Sequence, residues 1–328
     1  MQDQVVVVTG ASSGVGRAVA RAYGARQAKV ALLARNEEAL EACAAEIRQS
    51  GGEATVHIVD VSDADAVDRA AARTVEQWGR IDTWVNVAMA TVLAPVQETT
   101  PEEYRRVTEV TYLGYVHGTL SALRRMLPRD QGTIVQVGSA LAYRSIPLQS
   151  AYCAAKAAIR GFTDSLRAEL IHDGSRVRLT HVHLPAVNTP QSERQRNKMP
   201  LKQQPVPPLF SPESIAESIL WAADNAPREF LVAGPTNQAV WGQKFIPGLL
   251  DRHLADAAWE PQFIEEPNDQ QGDILFETLP GDPGAHGPYR DRERGPDLMM
   301  RWRLDGSRVA ALALLATATG AATLLLRR

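Results

Sequence analysis

Three side chains in this sequence combine into a group that can move a proton. Tyr152 and Lys156 stand four residues apart in the helix-forming stretch Tyr152-Cys153-Ala154-Ala155-Lys156. Residues at that spacing share one helix face, with Cβ atoms roughly 5–6 Å apart. A phenol ionises at about pH 10, and a neighbouring ammonium favours its charged form. Lowering that value by about three units takes about 4 kcal/mol, within reach of Lys156 and one further positive charge. Ser139 precedes Tyr152 by 13 residues, just after the apolar run Thr133–Val137, where its hydroxyl is placed to hold a carbonyl oxygen. A tyrosine and lysine at this spacing are usually a mere surface pair. A strand-end serine in their company turns the reading to catalysis, with Tyr152 as acid/base assisted by Lys156 and Ser139.

Such groups need a scaffold that brings distant segments to one edge. Short β-branched runs occur at Gln4–Thr9, Val30–Leu33, Thr55–Val59, Thr83–Val87, Thr133–Val137, Val177–His183 and Phe230–Val232. Helical patterns lie between them, among them Gly14–Arg26, Glu37–Gln49, Ala64–Trp78, Pro101–Met126 and Ala151–His172. Near-continuous apolar strands alternating with helices predict an α/β, doubly wound parallel sheet with right-handed crossovers, the Rossmann fold, over residues 1–235. Its first strand runs into Gly10-Ala11-Ser12-Ser13-Gly14-Val15-Gly16 and then a helix. Glycines there allow a tight turn whose N–H groups face a pyrophosphate, so Gly10, Ser12, Ser13, Gly14, Val15 and Gly16 are expected to bind a dinucleotide. The second strand ends Leu33-Ala34-Arg35, where an NAD site would place an acid. A guanidinium suits a ribose 2′-phosphate, with Ser12 and Ser13 as further donors, so NADP(H) is expected over NAD(H).

The rest of the chain is less regular. Residues 236–308 are rich in Pro, Gly, Asp and Gln, with scattered aromatics. They read as an irregular extension wrapping the main domain, without fixed structure near Pro280–Pro296. Val309–Leu326 is 18 residues without a charge, bracketed by Arg308 and Arg327. As a terminal apolar helix it would span about 27 Å, against ~30 Å of hydrocarbon. A single-pass membrane anchor is expected, and docking on a partner subunit is the alternative. Net charge is −3, the pI is near 6.2, and no basic run is interleaved with aromatics, which argues against a nucleic-acid partner. Two cysteines, Cys43 and Cys153, argue against a disulfide framework and suit a reducing compartment. With no leader-like segment before Val5, a cytoplasmic protein, tail-anchored or free, is expected. His181 and His183 face one side of a strand without a carboxylate or cysteine spaced to join them, so packing is expected and no metal site.

In order along the chain, the Thr9–Gly16 turn, Asp60-Val61, Asn86, Ser139 and the Tyr152/Lys156 pair form a set. Over roughly residues 3–235 it resembles the short-chain dehydrogenase/reductase superfamily. The resemblance implies interconversion of an alcohol and a ketone or aldehyde, on a small substrate that would be lipophilic if the tail is an anchor. It implies that Asp60 and Val61 contact adenine and that Asn86 stabilises the sheet and cofactor pocket. Lys156 would also hold the nicotinamide ribose and Thr189 the carboxamide. Gln191–Phe210 would form a substrate lid, and helices 101–127 and 151–172 a homodimer or homotetramer. Three positions depart from the pattern. Met89 replaces a glycine, Pro185-Ala186 is one residue short, and Thr111 takes the place of a catalytic asparagine that positions a relay water. Thr111 is accordingly counted with the catalytic set, and the departures leave a second reading open: an NADP(H)-binding sensor or interaction protein with little or no turnover.

Overall fold

The computed structural model describes residues 3–304. Seven parallel strands form one sheet: β1 (Val5–Thr9), β2 (Lys29–Ala34), β3 (Glu53–Ile58), β4 (Thr83–Asn86), β5 (Thr133–Ser139), β6 (Arg178–Leu184) and β7 (Glu229–Leu231). Their spatial order is β3-β2-β1-β4-β5-β6-β7. Alternate residues serve opposite faces, as a doubly covered sheet requires. Val6, Val8, Val30 and Leu32 enter one core layer, and Val7, Ala31 and Leu33 the other. The strand order reverses between β1 and β4, and a crevice opens beyond their carboxyl ends.

Helices α1 (Gly14–Ala25), α2 (Glu37–Gln49) and α3 (Ala64–Trp78) follow the first three strands. Asn36 and Asp63 cap the latter two, their side chains accepting from Ala39 N (3.0 Å) and Ala66 N (2.9 Å). Beyond β4, α4 (Pro101–Thr108) opens with Pro101 at its first position and a capping box between Thr100 and Glu103. The sequence predicts one helix from Pro101 to Met126, but a π turn at Glu109–Leu113 separates α4 from α5 (Gly114–Met126). Such a turn inserts an extra residue into the helical ladder, which apolar periodicity does not register. The long α6 (Ser150–His172) carries Tyr152 and Lys156, and α7 (Pro212–Asn225) starts from its Ser211 cap.

The extension is more regular than its composition suggests. Residues 233–257 form α8 (Ala233–Phe245) and α9 (Pro247–Ala257). Pro235 lies in the first turn of α8, where no intrahelical N–H is needed, and Asp297 accepts from Gly234 N at 2.6 Å. Phe263–Pro267 pairs antiparallel with Leu201–Gln203. The stretch 280–296, read from composition as lacking fixed structure, is held mostly by side chains, with one short parallel pairing of Glu293–Arg294 on Leu209–Phe210. Asn188 Nδ2 donates to Gly287 O (3.2 Å), the Tyr289 hydroxyl to Gln203 O (3.1 Å), and Ala285 is buried in the core. Val309–Leu326, where an anchor is expected, lies outside the described residues. Among the described residues no helix is long and apolar enough to cross a membrane.

Asn86 ends β4 fully buried. It accepts from Trp84 Nε1 (2.8 Å) and donates to Gln136 Oε1 (2.9 Å) and Thr119 Oγ1 (3.2 Å). Gly118 packs so close that a Cβ would meet Trp84 Nε1 at 2.6 Å. Replacing Asn86 with Ala strands these partners, and urea unfolding should show a loss of about 1–3 kcal/mol. An unchanged midpoint would show that the network is not a stabilising element.

Candidate active site

The glycine turn is built by contact. Gly10 has φ +70°, and a Cβ there would lie 2.8 Å from Ala88 Cα; one on Gly16 would overlap the Gly10 carbonyl oxygen. The Thr9 hydroxyl accepts from Val87 N (3.0 Å) and Ala88 N (3.3 Å), tying the ends of β1 and β4 together. The cleft above them is lined by Gly10, Ser12, Ser13, Gly14, Val15 and Gly16 at the turn, with Arg35, Asp60 and Val61 at one end. Ser139, Tyr152, Lys156, Thr189 and Met89 line it as well. Such a cradle, where main chain alone fits, suits a pyrophosphate at the start of α1. Asn86 does not line it; it supports the floor from within the sheet.

Lys156 is 2% exposed. Its Nζ donates to Val137 O (2.7 Å) and to the Tyr115 hydroxyl (2.9 Å), and it lies 5.7 Å from the centre of the Tyr152 ring. Burial pushes this lysine down to about 7 from its ordinary 10.5. Burial likewise holds the Tyr152 phenol above its usual range, with the Ser139 hydroxyl pulling the other way, so the tyrosine is protonated at neutral pH. Ser139 is 9% exposed at the end of β5.

Tyr115, which the sequence reading did not single out, is the partner of Lys156. It stands on α5 past the π turn, 1% exposed, with its hydroxyl donating to Val137 O at 2.8 Å. Thr111 is brought elsewhere. Its hydroxyl accepts from Ala90 N and donates to Ala90 O, both 2.8 Å, so it clamps the chain after β4 and contacts neither Lys156 nor the cleft. The only sequence signal for Tyr115 was its position one turn past Thr111.

The two strand histidines do meet a carboxylate, from a strand that sequence spacing could not place beside them. Glu229 Oε1 lies 2.8 Å from His183 Nε2 and also accepts from the Tyr143 hydroxyl. Burial opposes ionisation of Glu229, but these bonds hold its carboxyl down at about 2. The other nitrogen of His183, Nδ1, faces Ser139 O at 3.1 Å, so this cluster supports the serine from behind. His181 Nε2 is buried without a hydrogen-bond partner among the described residues.

Arg35 is placed differently from the free guanidinium that the sequence suggests. It donates to the carbonyls of Phe276 (2.8 Å) and Ile274, from the extension that roofs this end of the cleft.

Comparison with known proteins places this site in a family. Residues 4–200 match the short chain dehydrogenase family model. The chain belongs to the short-chain dehydrogenase/reductase family and is an NAD(P)-dependent oxidoreductase. It is 33% identical to an uncharacterized oxidoreductase, YxnA, of Bacillus subtilis (strain 168), over 85% of this chain and 79% of that one. It is 30% identical to a fatty acyl-CoA reductase of Acinetobacter baylyi, over 70% of this chain and 75% of the relative. Among solved structures, an alcohol dehydrogenase from the archaeon Thermococcus sibiricus complexed with 5-hydroxy-NADP is similar, with a TM-score of 0.59 and 28% identity. That likeness covers 69% of this chain and 92% of the other.

A lysine depressed by burial is neutral above its folded value and charged below it. Stability contributed through Lys156 should therefore be lowest below pH 7 and rise between about 7 and 10. NMR of the isotopically methylated protein should show a lysine titrating near 7 that is missing from Lys156→Met, and Tyr115→Phe should move it lower still. A midpoint above about 9 would mean that the two acceptors outweigh burial.

Proposed function

We propose that this protein interconverts an alcohol with a ketone or aldehyde using NADP(H). The convergence of Ser139, Tyr152 and Lys156 on the cleft of the glycine turn carries the reading. A bound reduced nicotinamide supplies the hydride for the carbonyl carbon. Ser139 holds the carbonyl oxygen, and Tyr152, kept protonated by burial, donates its proton to it. Lys156, half protonated near neutrality and anchored by Tyr115 and Val137 O, is the adjacent group that favours the resulting phenolate. Thr189 lies against Gly14, on the wall where a carboxamide would sit. Arg35 in place of an acid after β2 supports the choice of NADP(H). A lipophilic carbonyl substrate is supported by the Acinetobacter relative, whose name gives an acyl-CoA as its substrate. The catalytic unit is residues 1–235, and of the extension 236–308 the described residues 236–304 pack on it.

Tyr152→Phe should lower kcat by about 10²–10⁴-fold while NADPH binding persists. Retained turnover would remove Tyr152 from the mechanism. Wild-type protein that binds NADPH but reduces none of a broad ketone and aldehyde panel would establish the sensor reading instead.

Assembly through α5 and α6 is supported by exposed apolar residues on and beside them, namely Leu120, Leu127 and Ile171. Light scattering should give a dimer or tetramer that Ile171→Glu weakens; a monomeric wild type would rule the interface out.

A further inference from the structure

Residues 273–287 cross the mouth of the cleft, and the reaction gives them no task. Thr278, Leu279 and Pro283 face the cleft alongside Arg35 and Asn36. The segment is anchored at both ends. Leu275 is 1% exposed and packs into the core layer of Val7 and Leu33. Asp282 makes a two-pronged ion pair with buried Arg17 in the first turn of α1. Along the strap the contacts run mainly from side chains to its carbonyls. Arg35 donates to Ile274 O and Phe276 O, Asn36 Nδ2 to Leu279 O (3.0 Å) and Gly281 O (3.1 Å), and Arg194 to Leu279 O (2.9 Å).

Carbonyls orient a guanidinium without neutralising it, as a carboxylate would. The acids nearby are already engaged. Asp60, 3.9 Å from Arg35, is bonded to Arg106, Asp282 is held by Arg17, and Glu38 accepts from Gly281 N (3.0 Å). Arg35 is thus left without a close carboxylate of its own, the nearest, Asp60, being bonded to Arg106. A free arginine side chain loses rotamer freedom when it binds, and the carbonyl bonds remove that freedom before any ligand arrives. A guanidinium has five N–H donors, so two bonds to the strap leave capacity for an anion with several acceptor oxygens.

We propose that the strap is a positioning element of the adenosine subsite. Its carbonyls hold Arg35, Asn36 and Arg194 for a phosphate on the ribose 2′ carbon, and so set the choice between phosphorylated and unphosphorylated dinucleotide. This rests on the NADP(H) reading above. Loosening the anchors with Leu275→Ala and Asp282→Asn should weaken NADPH binding by about tenfold while NADH binding changes less than about twofold, measured by fluorescence titration. A merely structural strap would weaken both alike, and an unchanged preference overturns the proposal. Hydrogen exchange on the wild-type protein gives a second reading that does not depend on the variants folding. Adenosine 2′,5′-bisphosphate should slow the amides of residues 273–284 more than 5′-AMP does; equal protection overturns the proposal. Wild-type protein that does not prefer NADPH overturns both this proposal and the cofactor assignment. A preference that survives loosening of the strap overturns this proposal alone.

Discussion

Burying an ammonium group without a carboxylate beside it is unfavourable, and the centre of this molecule is arranged around one. Lys156 reaches from α6 to the end of β5 and meets the hydroxyl of Tyr115 from α5. Three elements that share no local sequence are thus registered on one nitrogen. The same placement gives the lysine a proton affinity near neutrality and puts it beside the Tyr152 ring. Sheet, helix packing and acid–base chemistry meet in this interaction, because any shift of β5 against α6 would leave the ammonium with fewer acceptors.

The opposite edge of the crevice depends on the absence of side chains. Gly10 and Gly16 let the end of β1, the chain after β4 and the start of α1 approach more closely than any Cβ permits. Thr9 fastens β1 to the segment at Val87 and Ala88. Met89, bulkier than the glycine the family pattern leads one to expect, still lines the cleft and is accommodated there.

Much of this architecture was legible in the residues. The strand runs fall within a residue or two of the observed sheet because parallel strands, covered on both faces, leave uninterrupted apolar stretches. The Tyr152/Lys156 spacing and the turn at Gly10–Gly16 were equally local, and local patterns survive in sequence. Tyr115 was not legible, since the π turn at Glu109–Leu113 changes which residues share a face and helical periodicity assumes no such insertion. Glu229 joins His183 only through strand adjacency between β6 and β7. Helix α8 was hidden by Gly234, Pro235 and Gly242, whose average meaning is a loop but whose positions in the first turn and near the end are compatible with a helix. For residues 280–296, composition registered the scarcity of regular structure and missed the arginines and asparagines elsewhere, and the short pairing of Glu293–Arg294 with Leu209–Phe210, that hold the chain.

The strap also bears on how the protein is made. Arg17 and Asp282 are 265 residues apart in sequence, yet they meet at the first turn of α1. A ribosome adding about 5–20 residues per second needs roughly 15–50 s between them. During that interval the amino-terminal unit exists with Arg17 paired to Glu46 of α2 alone and its nucleotide corner open. The nascent chain therefore carries a half-walled site for most of its synthesis. The last wall arrives only when the segment beyond α9 has emerged, making closure of the dinucleotide cleft a late event in the folding of a fold whose first strand emerges first.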